Sequence, residues 1–226
     1  MISHLPSWIT GLFLLTTVIT LILFFVSNNK PSKALIYITV WGIFQSVMAY
    51  IGYYQVTDTF PPRFLLLLPP IVITLIYLLT GERKEQMILD RNFKLSTFIH
   101  TIRIPVEIVL FYLFIHKMVP ELMTFEGRNF DILAGMTAPI IGGLYYKGHL
   151  SDKVLLLWNL ICLALVSFIA LNAILSAELP FQQFGFEQPN KALIYFPYIL
   201  LPAVVVPIVI YQHIGDIIIL RRRINE

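Results

Sequence analysis

Ser96, His100, Arg103 and Glu107 place a hydroxyl, an imidazole, a guanidinium and a carboxyl three or four residues apart in an otherwise apolar stretch. At about 100° per residue the four fall within about 60° of one helix face. Such a set can relay protons, bind an anion or hold a charged ligand. If Ser96 lies near a membrane surface, a rise of ~1.5 Å per residue puts Arg103 about 10 Å deep and Glu107 about 16 Å deep. That is close to the midplane of a bilayer with a hydrocarbon core ~30 Å thick. An ionised side chain there costs about 2.5–3.5 kcal/mol, so the stripe must face protein or a wet cavity. Arg103 and Glu107, spaced i, i+4, can pair, in the weaker order with the cation on the N-terminal side. Pro105 lacks an N–H and displaces the carbonyl of Thr101, which bends the helix beside Arg103.

Other polar residues within apolar runs extend this candidate ligand- or proton-binding site. Gln45, Asn159 and Asn172 are expected on its walls. On the outer side, Glu126, Arg128 and Asp131 form a candidate gate, although Asn129 as a cap with Asp131 in the first turn is ordinary helix initiation. A third constellation is metallic. His100, His149 and His213 with Asp216 offer the imidazoles and carboxylate of a tetrahedral zinc site. His100 with His213 is also the one histidine pair suited to a bis-imidazole haem. No cofactor is assigned by these patterns alone. The single cysteine, Cys162, has no disulfide partner within the chain and suits small apolar packing.

The Ser96-to-His100 spacing resembles the Ser/His helix of the seven-helix membrane hydrolases of the alkaline ceramidase and progestin/adipoQ receptor superfamily. That resemblance implies a metal-dependent enzyme acting on lipid. It covers two residues and departs from the family in its motif lying on the fourth apolar run, with His213 as the one histidine of the last. The overall plan is also similar to that of microbial rhodopsins. The last apolar run has no lysine after Lys191, which argues against a retinal Schiff base.

These side chains need elements to position them. Of 226 residues, 58% are hydrophobic and 13% charged, whereas soluble domains hold about 45–50% apolar and about 25% charged residues. The excess occurs in seven runs, at roughly 7–27, 34–54, 63–80, 96–118, 130–147, 153–176 and 191–214. Each approaches the ~20 residues of a bilayer-crossing helix, and continuous runs without two-residue alternation mean helices rather than a barrel. The expected fold is all-α: one integral-membrane domain over 1–226, a bundle of seven transmembrane helices with short loops. The first run lacks a basic leader and a small-residue cleavage site, so it reads as a span and not a signal peptide.

Basic residues orient the bundle. With the N-terminus outside, the cytoplasmic side holds Lys30, Lys33, Arg83, Lys84, Arg91, Lys94, Lys147, Lys153 and Arg221 to Arg223. The outer side holds Arg63, Lys117, Arg128 and Lys191. The bias predicts N-out, C-in in a cell membrane, a bacterial cytoplasmic membrane being the expected one. The terminal arginine run next to a span is a topology anchor that touches lipid headgroups, and no nucleic-acid partner is expected. The loop 81–94 suits a short interfacial helix. The phenylalanine-rich loop 178–190 suits an aromatic belt or a lid. Ala134, Ala138 and Gly142, at four-residue steps, allow close helix approach. "KALIY" occurs at 33–37 and again at 191–195, each copy opening a predicted span.

The partners expected are the lipid bilayer and a small-molecule or ion ligand. The first reading is a transporter, proton-coupled through Glu107, or a ligand-binding bundle. The second is a membrane-embedded, metal-dependent enzyme acting on a hydrophobic substrate. The third is a non-catalytic assembly subunit.

Overall fold

The structure is a computed structural model that describes residues 2, 5–57, 59, 61–80 and 91–226. Every regular element among these residues is helical. We number the helices α1 (Ser7–Ser27), α2 (Ser32–Tyr50), α3 (Leu68–Leu79, led by a 3-10 turn Arg63–Leu67), α4 (Phe93–Ile115), α5 (Asp131–Tyr146), α6 (Asp152–Leu175) and α7 (Leu201–Asn225). Five of them, α1, α2, α4, α6 and α7, are long and apolar enough to cross a membrane. The chain is thus a helical membrane protein. Most of the interfacial helix expected at 81–94 lies outside the described residues.

The surface is apolar, and a mostly apolar interior also buries many polar and charged side chains. Leu15, Val40, Ile73, Ile140 and Leu157, on five different helices, are each more than half exposed. Ser96, His100, Arg103 and Glu107 are all buried. In water, contiguous exposed apolar surface is rarely larger than a few hundred Å². Surrounded by lipid, the same surface costs nothing, and burial of the charges is what must be arranged.

α6 packs most extensively along α7, and α4 is held between α1 and α5. Neighbours alternate in direction. Trp8 at the start of α1 meets Tyr112 near the end of α4, and the Asn92 N–H at the start of α4 donates to the Ser27 carbonyl at the end of α1. Lys94 lies over the ring of Tyr146, and Arg223 over that of Phe93, so α4 starts where α5 and α7 end.

Two of the seven expected spans, α3 and α5, are shorter than a membrane-crossing helix, and the last helix departs from its expected boundaries. The last span, expected at 191–214, runs instead over Leu201–Asn225. Its expected first turns are a 3-10 turn, Ala192–Ile194, and a bend through a cis Phe196–Pro197 bond. Pro197 removes one backbone donor and Pro202 another, which disfavours helix there. Tertiary contacts satisfy that backbone: the Lys191 and Ala192 N–H groups both donate to the Met118 carbonyl. The shift of ten residues moves His213 and Asp216 from the predicted cytoplasmic end to the middle of the helix. Its first residues, Leu201–Val205, form a π-helical turn. The wider turn accommodates Pro202 and Pro207 without breaking the helix.

α5 is shorter than a full span. Its 16 residues rise about 24 Å, against a core of ~30 Å. The missing length is made up by the irregular chain 117–130, whose Met118, Val119, Met123, Thr124 and Asn129 are buried. Non-helical backbone is tolerated at such depth only inside protein. The loop 178–190 folds over the same end: Gln188 donates to the Phe114 and Val119 carbonyls while Phe186 stays exposed.

Candidate functional site

α4 positions the site. Asn92 caps its start by accepting from the Leu95 N–H. Between Ile99 and Ile102 the helix tightens to 3-10, with the Arg103 N–H reaching His100 O. The tightening lies just before Pro105, whose ring cannot bond back to Thr101. The predicted bend is therefore a local change of helical type at His100. All four predicted residues point inward.

Arg103 does not pair with Glu107. Its Nη1 lies 2.8 Å from Asp131 Oδ1, and its Nη2 2.7 Å from His213 Nε2. Helical side chains lean toward the N-terminus of their helix. That lean carries the guanidinium back toward His100 and away from Glu107. Asp131 is the first residue of α5 and arrives at this depth because α5 starts late.

The bond network fixes the His213 tautomer. Asn159 Nδ2 donates to the Leu155 carbonyl at 3.0 Å, which leaves Asn159 Oδ1 facing His213 Nδ1 at 2.7 Å. A guanidinium only donates. His213 therefore accepts at Nε2, donates at Nδ1 and is neutral. His100 stacks on it, ring centroids 3.7 Å apart and planes 8° from parallel, with Trp158 edge-on at 5.6 Å. Among the described residues neither ring nitrogen of His100 has a hydrogen-bond partner, and both are buried.

Polar contacts lie on both sides of this group, continuous with it toward Glu107 and as a separate cluster toward the start of α4. Toward the start of α4, Ser96 donates to Asp216 at 2.8 Å, and Arg91 Nη1 meets Asp216 Oδ1 at 2.9 Å and the Gln212 carbonyl at 2.8 Å. Arg91 fits because position 215 is glycine: a Cβ there would overlap the Arg91 guanidinium. Toward the other end, Asn129 Oδ1 accepts from the Asp131 N–H at 3.0 Å, and Asn129 Nδ2 reaches the Glu107 carboxyl at 2.7 Å. Two ion pairs, Arg91–Asp216 and Arg103–Asp131, cancel their own charges. Glu107 forms no ion pair among the described residues.

Comparison with protein-family models, with curated proteins and with solved structures finds no match.

The remaining predicted residues separate. Asn159 belongs to the site. Asn172 is buried, with its Nδ2 unpartnered, and belongs to none of these contacts. Gln45 is bound by the Tyr54 hydroxyl. Burial first, and neighbouring Tyr53 second, push that hydroxyl up to about 12, so it stays protonated and donates. The outer trio divides: Glu126 and Arg128 are exposed, Arg128 lying over the Phe184 ring, while Asp131 is drawn into the interior. Among the described residues no three metal-binding side chains gather, and His149 is exposed, apart from the stacked pair. The parallel rings keep their lone pairs in two separate planes. Bis-imidazole ligation needs both on one line through the iron.

Sequence reasoning missed Arg91 and Asn129 as site residues. Arg91 counted as a loop charge, and Asn129 as a cap. One signal was available for Arg91, namely a small residue at position 215 facing a carboxylate at 216.

Proposed function

We propose that the chain is a seven-helix, N-out/C-in transporter of a bacterial cytoplasmic membrane, which moves protons or couples proton movement to a small solute. The observation that carries this reading is the succession of two buried polar clusters along α4, α5 and α7, Arg91–Asp216–Ser96 and His100–His213–Arg103–Asp131–Asn129–Glu107. Arg91 and Glu107 are 16 positions apart, about 24 Å along a helix, which is most of the hydrocarbon core.

Each group has a role. Glu107, lacking a cation, takes up and releases the proton on the outer side. Asn129 holds its carboxyl and links it to Asp131. Arg103 fixes His213 as a neutral acceptor. His100, with two unpartnered nitrogens, is the group free to carry a proton between the halves. Asp216 and Ser96 pass it to the end where Arg91 lies. The π-helical turn at the start of α7 and the two prolines beside it provide a place for α7 to flex. An intramembrane ionisable residue marks a functional site by default, proton relays among the attested kinds, because its insertion cost needs a compensating use.

The side chains around Arg103 and Glu107 close tightly on one another. That observation favours the second reading, an assembly subunit whose polar core fixes helix register. The test is proton flux into proteoliposomes under an imposed potential, with an internal pH dye. Wild-type flux with loss in Glu107→Gln and His100→Phe supports transport. Absence of flux from folded wild-type protein, with or without candidate solutes, overturns it and leaves the structural reading.

A further inference from the structure

α2 and α3 stand apart and leave a cleft that opens sideways on the bundle, outside the polar clusters. It has about 870 Å³ of accessible space, within the ~300–1,000 Å³ typical of small-molecule sites. Its inner end continues into a smaller apolar chamber of about 50 Å³, between α2, α3 and α7. Tyr37, Ile38 and Thr74 line both.

The cleft is graded in polarity along its length. At its mouth stand Lys33, exposed, and the first turn of α2, whose free N–H groups favour an anion. About 6 Å deeper, four residues along the helix, the Tyr37 and Thr74 hydroxyls bridge the cleft at 3.2 Å. Beyond them the lining is apolar. The chamber walls include the rings of Trp41 and Tyr211. Tyr211 is 2% exposed.

We propose that this cleft binds an anionic phospholipid. The phosphate sits at Lys33 and the α2 N-terminus, the glycerol esters at the level of Tyr37 and Thr74, and one acyl chain along the apolar floor. Cation, hydroxyls and apolar floor follow the order phosphate, ester, hydrocarbon found in a lipid. The chamber ends at Tyr211, whose ring also carries the Arg91 guanidinium, 4.9 Å from its centroid. The bound lipid therefore abuts the wall of the Arg91 cluster. The proposal stands independently of proton transport, since its readout is lipid retention.

The test is native mass spectrometry of the full chain, delipidated in mild detergent and titrated with phosphatidylglycerol or phosphatidylcholine. One phosphatidylglycerol per chain, held in preference to phosphatidylcholine, is the expected result. Lys33→Gln, at an exposed position that leaves folding intact, should lower that preference about fivefold. Thr74→Trp, which fills the cleft, should abolish retention of both lipids. Retention of phosphatidylglycerol by Thr74→Trp, or an unchanged preference in Lys33→Gln, overturns the proposal. A lipid-free dimer cross-linked through α2 also overturns it, by giving the cleft to a second copy of the chain.

Discussion

His100 and His213 lie face to face at 3.7 Å in the middle of the bundle, and among the described residues only His213 has hydrogen-bond partners. His213 is held at both nitrogens, by Arg103 and Asn159. His100 is held at neither. Removing the two rings should therefore have unequal consequences. His213→Phe leaves Arg103 Nη2 and Asn159 Oδ1 without partners and should cost about 1–3 kcal/mol for each. His100→Phe loses no hydrogen bond and keeps the stack, so its stability should stay within about 1 kcal/mol. Thermal unfolding in detergent measures the difference, and equal losses would contradict the bonding described.

Arg103 and Asp131 form a buried pair at 2.8 Å. Truncating one partner strands the other, with an expected cost of about 3–5 kcal/mol for Arg103→Met or Asp131→Leu alone. The double substitution should recover most of that loss, because two apolar side chains replace two compensated charges. A double-mutant cycle on unfolding free energy reads this directly. Proton flux should remain absent in the double variant, which separates fold from function.

Asn159 fixes the His213 tautomer through one atom. Asn159→Asp keeps an acceptor facing Nδ1 and should preserve stability better than Asn159→Leu, which offers none. The expected gap is about 1–2 kcal/mol. Equal stability of the two variants would show that His213 is held by Arg103 alone.

Small residues on α5 should be ranked by what faces them. A Cβ at Gly135 would sit 3.0 Å from Ile104 Cγ1 and 3.1 Å from Ile104 N, against the backbone that carries Arg103. Gly135→Ala should cost about 1–3 kcal/mol by overpacking. A Cβ at Gly143 meets nothing within 4 Å. Gly143→Ala should be neutral or stabilising, through better helix propensity. The melting temperatures of the two variants check the close approach of α4 and α5.

The proposed orientation makes a labelling prediction. In a Cys162→Ala background, cysteines replacing Lys117 or Glu187 should react with an impermeant maleimide added to intact cells. Cysteines replacing Lys147 or Arg221 should react only after permeabilisation. The opposite pattern inverts the topology.

The sequence by itself determined that charges in this chain must be interior and helical. The cost of an ion in hydrocarbon and the 3.6-residue period place Ser96, His100, Arg103 and Glu107 on one buried face, whatever surrounds them. Their partners were decided only by the tertiary structure. Arg103 chose Asp131, twenty-eight residues away, over Glu107 four residues away, because α5 begins deep in the bundle and helical side chains lean backward. "KALIY" makes the same point: residues 33–37 lie in α2, whereas at 191–195 the same five residues hold a 3-10 turn, Ala192–Ile194. Hydropathy counts apolar residues and cannot tell those facing lipid from those wrapped in protein. It therefore placed the last helix ten residues early. Only the packed structure, by satisfying irregular backbone at depth, brought His213 and Asp216 level with α4.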